Sequence, residues 1–200
     1  MGNYVYLIGS NNDEFLKANS ENVFVLSARY ELPLFWLLLF DKTDYSLIVD
    51  VSEPDPEFEN RYPICATSKE KAIQNAERRQ EFLLSILPKK WTDLWIEFIN
   101  FLKSAECDYL YFNQQESACL GDSFEDWGVK VVEILSALNE SPVYYSGRLI
   151  FKRKYLKIGW YEALKMANID FPEMEGITPW ALAGGGDEFI PSEKYLRMWG

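Results

Sequence analysis

A chain of 200 residues with 48% hydrophobic and 16% aromatic content suits one domain with a substantial core and argues against intrinsic disorder. Its formal net charge of −11, from 31 acidic and 20 basic residues, disfavours nucleic acid and anionic membrane surfaces as partners and favours a basic one. There is no histidine, so the common serine and cysteine triads lack their usual base, and zinc sites that use histidine are excluded.

The chain opens without a basic n-region or a long apolar stretch, which argues against a signal peptide, and Tyr6 breaks a myristoylation pattern at Gly2. Asn3 to Ile8 alternates tyrosine and aliphatic residues and predicts a strand ended by Gly9-Ser10-Asn11-Asn12; Val23 to Leu26 predicts a second. Leu32 to Phe40 is the most apolar run, too short to span a bilayer. Pro33 suits a first helical turn, so Leu34 to Phe40 reads as a short buried helix with Trp36 inside, a buried strand being the competing reading. Tyr45 to Val51 predicts a strand. Pro54, Pro56 and Pro63 predict a loop over 52–66.

Thr67 with Glu70 reads as a capping box opening a helix near 68–87, with Ile73, Ala76, Leu83 and Leu87 as its stripe. A second helix is expected over 91–103, a strand over 108–112, and a third helix near 123–138 behind an Asp122/Glu125 capping pattern. Pro142 to Phe151 is strand-like and Trp160 to Ala167 helical. Gly184-Gly185-Gly186, followed by Asp187 and Glu188, would repel phosphate and reads as a flexible turn. Lys152-Arg153-Lys154 with Lys157, the dense basic patch, reads as the guard of an exposed strand edge. The mixed element order gives an α+β fold in a single domain, with a mixed or antiparallel sheet and three or more helices.

Cys65, Cys107 and Cys119 are odd in number and widely spaced, which suits reduced, buried thiols in a cytosol and no metal site. Two stretches concentrate acid: Asp50, Glu53, Asp55, Glu57 and Glu59, and then Glu106, Asp108, Glu116, Asp122, Glu125 and Asp126. Neither fits an EF-hand loop. Each can be a solvated loop, a partner-binding surface, or a carboxylate site. Trp91, Trp180 and Trp199 lie near element ends, where an aromatic face can anchor an interface.

The residues Asn3-Tyr4-Val5-Tyr6-Leu7, with Leu32-Pro33-Leu34-Phe35-Trp36-Leu37-Leu38-Leu39-Phe40 downstream, resemble the start of an uncharacterised family of small bacterial proteins, some of which accompany toxins as immunity proteins. The resemblance covers roughly the first quarter of the chain, carries no catalytic residue, and implies a cytosolic binding protein. The expectation is a non-enzymatic inhibitor, without cofactor, that holds a cognate, basic protein toxin through Asp50, Glu53, Asp55, Glu57, Asp122, Glu125, Asp126 and Trp180. A carboxylate-based enzyme or carbohydrate-binding domain, and a structural or regulatory module, are the alternatives.

Overall fold

The computed structural model describes residues 3–50, 60–121, 123–146, 153–171 and 177–196. The alternating N-terminal segment forms β1 (Tyr4–Ser10), and a short helix, α1 (Phe15–Ser20), links it to its antiparallel neighbour β2 (Phe24–Arg29). The buried run follows as α2 (Leu34–Leu37), then β3 (Tyr45–Val49), β4 (Arg61–Ser68), α3 (Lys69–Ile86), α4 (Thr92–Ser104) and β5 (Tyr109–Asn113). The five strands make one antiparallel sheet in the order β2-β1-β5-β4-β3. The remaining elements are α5 (Gln115–Ala118), α6 (Phe124–Ala137), a two-stranded ribbon of β6 (Val143–Ser146) and β7 (Arg153–Leu156), α7 (Ile158–Met166), α8 (Pro179–Ala183) and α9 (Glu193–Leu196).

Strand alternation sorts the sheet into two faces. Val5, Leu7, Leu26, Cys65, Leu110 and Phe112 join the main core beneath the helices, whereas Ile8, Ile64 and Tyr111 form a smaller core with Phe15 and Ala18 of α1. The centre of the main core is the predicted apolar run. Leu34 through Phe40 are all 0% exposed. Trp36 and Phe40 pack on Phe112 of the sheet, and Phe35 packs edge-on against Trp95 of α4 at 4.9 Å. Each such side chain contributes about 1.5–3 kcal/mol by leaving water.

Only the first turn of that run is helical, so the buried carbonyls of Leu38, Leu39 and Phe40 have no backbone partner among the described residues and need donors. Side chains of α3 supply them. Asn75 Nδ2 donates to Leu39 O at 3.0 Å, and Arg79 Nη1 donates to Leu38 O and Phe40 O at 2.9 and 2.7 Å. Arg79 is 0% exposed; its Nη2 also meets Asp41 Oδ1 at 2.6 Å, and Asn139, just beyond α6, accepts from its Nε.

Three sequence expectations are corrected. The predicted 52–66 loop yields at its end to β4, with Pro63 inside a strand. Pro63 is tolerated because its nitrogen faces the point where β5 ends: the Gln114 N–H donates to Pro63 O, while Gln114 O already accepts from Ala118 N–H of α5. Both capping patterns sit one residue too early. Thr67 is a buried strand residue opposite Leu110, and Ser68 caps α3 by accepting from Lys71 N–H at 3.2 Å. Ser123, not Asp122, caps α6, accepting from Asp126 N–H and donating to Asp126 Oδ2. Finally, Gly184-Gly185-Gly186 is a packing device rather than a flexible turn. Gly185 bridges Ser27 on the outer side of β2, and its N–H donates to Ser27 O at 3.0 Å. A Cβ at Gly184 would lie 2.2 Å from Trp36, one at Gly185 2.0 Å from Trp180, and one at Gly186 2.4 Å from Val25 O. Only glycine lets the chain approach this closely.

Candidate functional site

Asp50 of the first acidic stretch and Glu125 and Asp126 of the second meet at one end of the molecule, whereas Asp108 lies at the other end of β4, its backbone O accepting from Lys69 N–H. Asp50 directly follows β3, and its N–H donates to Asn60 O at 2.7 Å, closing the hairpin before Arg61 opens β4. Arg61 reaches the N-terminus of α6, where its Nη2 lies 3.2 Å from Glu125 Oε1. Beside Glu125, Asp126 is partly committed to the Ser123 cap. Thus Asp50, Glu125 and Asp126, some 75 residues apart in the chain, share one corner. Glu53, Asp55, Glu57 and Asp122 lie outside the described residues. Of the other acids in the second stretch, Glu116 is structural: it accepts from Tyr4 N–H and the Tyr6 hydroxyl.

Trp180 is not part of this corner. It lies on α8, 37% exposed, with its ring against Gly185 beside β2. The acidic corner borders β3, so the whole width of the sheet separates them, roughly 19 Å at four inter-strand spacings. Trp91, expected to show a face, is only 2% exposed and stacks on Tyr195 at 5.4 Å; Trp199 is outside the described residues. Of the basic patch, Arg153 lies on β7 with Lys154, and Lys157 pairs with Glu140 at 2.9 Å. Cys65 and Cys107 are buried free thiols, and burial pushes the pKa of each upward; Cys119, contrary to expectation, is exposed. Among the described residues no three His, Cys, Asp or Glu side chains are grouped to hold a metal ion.

A second surface feature escaped the sequence reading. Tyr30 directly follows β2 in the left-handed region, with φ 63°, an uncommon conformation for so bulky a residue. Its ring is 60% exposed under the Arg29 guanidinium, 4.8 Å away. It overhangs an open cavity of about 290 Å³ lined by Leu32, Leu120, Trp127, Lys165 and Met166. Leu120 is 68% exposed. This rim suits an apolar or aromatic side chain of a partner. Its one readable trace was Leu120-Gly121, an apolar residue in a polar stretch; the backbone conformation of Tyr30 leaves no mark in composition or period.

Glu31, next in the chain, is half-buried, and desolvation raises its carboxyl pKa to about 7. A folded-state pKa above the unfolded one means stability is complete below about pH 4 and falls as pH rises through 7. Glu31→Gln is therefore expected to leave the urea midpoint unchanged near pH 4 and to raise it near pH 8. Equal effects at both values would place the carboxyl in water.

Comparison with protein-family models, with curated proteins and with solved structures returned no match. Among the described residues no helix is long and apolar enough to cross a membrane.

Proposed function

We propose that this chain is a non-enzymatic cytoplasmic binding protein that neutralises a basic protein partner, an immunity-type inhibitor of a cognate toxin. The observation that carries this reading is the convergence of Asp50, Glu125 and Asp126 on one corner, from two acidic stretches distant in sequence, in a chain of net charge −11. A field of one sign, concentrated on a rigid strand end and helix end, steers an oppositely charged surface and speeds encounter. The N-terminal resemblance supports the same class. The Tyr30–Leu120 rim offers the buried contact that slows dissociation.

The test is association kinetics against the product of the reading frame adjacent to this chain's own gene, at about 0.05 M and about 0.3 M salt, where screening differs strongly. The expected result is slower association at the higher salt and, at low salt, slower association for Glu125→Lys and for the pair Asp55→Lys and Glu57→Lys, with unchanged circular dichroism. Asp126 is left in place because it closes the first turn of α6. Association that is indifferent to both salt and charge reversal contradicts a role for the acidic surface.

A further inference from the structure

The two edges of the five-stranded sheet are finished differently. On the β2 side, Gly185 occupies the edge and exchanges hydrogen bonds with Ser27 in both directions. Among the described residues, no backbone pairs with the β3 side in this way. Its phase follows from the register. Asp50 faces Asn60 as a hydrogen-bonded pair, so antiparallel alternation makes Ile48–Tyr62 and Ser46–Ile64 the other bonded pairs and turns the N–H and C=O groups of Leu47 and Val49 outward. Pro63, opposite Leu47, agrees, since a proline is accommodated there only if its nitrogen faces away from β3. Among the described residues none bonds to the outward groups of Leu47 and Val49. The strand itself, Tyr45-Ser46-Leu47-Ile48-Val49, has no charge, no proline and no glycine, and Val49 is 53% exposed. Proteins ordinarily blunt an open edge with lysine, proline, a bulge or a covering loop.

We infer that the outer edge of β3 is a strand-addition site for an extended segment of the partner, with apolar and β-branched residues along its length and basic residues at its N-terminal end. This rests on the proposed reading of the chain as a binding protein and adds where and how it binds. Charge complementarity names the occupant. Asp50 continues β3, and at the same end of the strand Arg61 of β4, paired with Val49, holds Glu125 of α6 at 3.2 Å. The sheet is antiparallel throughout, so a sixth strand running antiparallel to β3 brings its N-terminal residues beside Asp50. Main-chain hydrogen bonds supply affinity, and the acid at one end fixes direction and discriminates against other strands. A second copy of this chain fits less well: antiparallel pairing about Leu47 sets Asp50 of one copy towards Asp44 of the other.

The probe is a synthetic peptide of two lysines followed by alternating threonine and valine, with a second peptide carrying two glutamates in place of the lysines. The full chain is followed by amide hydrogen exchange and by binding titration. The expected result is rapid exchange at Leu47 and Val49 in the free protein, protection of both when the lysine peptide binds, and no protection by the glutamate peptide. Val49→Pro and, separately, Leu47→Pro remove one outward donor each while sparing the bonds to β4, and each is expected to weaken binding about fivefold, the equivalent of one backbone hydrogen bond. The wild-type exchange measurement stands even where a proline variant folds poorly. Absence of binding by the lysine peptide, binding without protection of Leu47 and Val49, or protection in the free chain accompanied by dimerisation in sedimentation overturns the inference. None of these alters the salt-dependence test, which alone decides the acidic-surface reading.

Discussion

Arg79→Ala is expected to destabilise the protein by about 3–5 kcal/mol, the cost of removing one partner from a buried ion pair. The magnitude follows from what the guanidinium leaves behind. Leu38 O and Phe40 O lose their donor in a fully buried segment, and the Asp41 carboxylate loses its 2.6 Å contact. Neighbouring Arg78, which also meets Asp41 and Asn139, is 54% exposed by its side chain, so Arg78→Ala should cost under about 1 kcal/mol. Urea unfolding of both variants checks the contrast; similar midpoints would mean that the two carbonyls find other donors. The acid limb should also change. Burial opposes ionisation of Asp41, but the Asn139 hydrogen bond and the Arg79 and Arg78 charges outweigh it and hold its pKa below the usual value. A depressed folded-state pKa contributes stability that is present above the unfolded value and lost as pH falls through the folded one. Arg79→Ala should therefore lose less on acidification than the wild type.

Trp36→Ala is expected to cost about 3–5 kcal/mol, the range for emptying a large aromatic site. Trp36 is 0% exposed, meets Phe112 edge-on at 5.5 Å, and donates from Nε1 to Ala183 O at 2.7 Å. The space cannot be refilled from the facing Gly184, whose φ of 61° is strained for any larger residue. Loss of the indole also removes the donor that fixes the end of α8 beside the glycine run covering β2. Thermal unfolding reads the effect, and an unchanged melting temperature would place the apolar run outside the core.

The elements that sequence specified well are those whose pattern has one physical solution. Thr92 to Ser104 carries Leu94, Trp95, Phe98 and Leu102 at helical spacing, and Tyr4 to Ser10 alternates at strand spacing, so each folds as its period demands. Leu34 to Phe40 was legible as buried because nothing so apolar can remain in water. Its consequence was not legible: a buried stretch that leaves the helix after one turn needs polar partners, and they come from Asn75 and Arg79, within a stretch that reads as an exposed charged face. The stripe Ala76–Leu83 skips one turn, and Arg79 fills the gap. Pro63 misled because its cost depends on which neighbour the missing N–H would have faced, a tertiary fact. The glycine run misled for the same reason, its role being set by Trp36, Trp180 and Val25. At the acidic corner the residue types were readable, but their meeting depends on the β3–β4 hairpin and the Arg61–Glu125 contact, which no local pattern encodes. Trp180 was read correctly as partly exposed and placed with residues that lie across the sheet from it.

A toxin inhibitor protects the cell that makes it. Cells expressing the product of the adjacent reading frame are grown with this chain, without it, and with a Glu125→Lys, Asp55→Lys, Glu57→Lys variant whose folding is confirmed by circular dichroism. Growth arrest is expected without the chain, growth with it, and weakened protection by the charge-reversed variant. Growth arrest that the wild-type chain does not relieve, together with no binding between the two purified proteins, would contradict a toxin-inhibiting role.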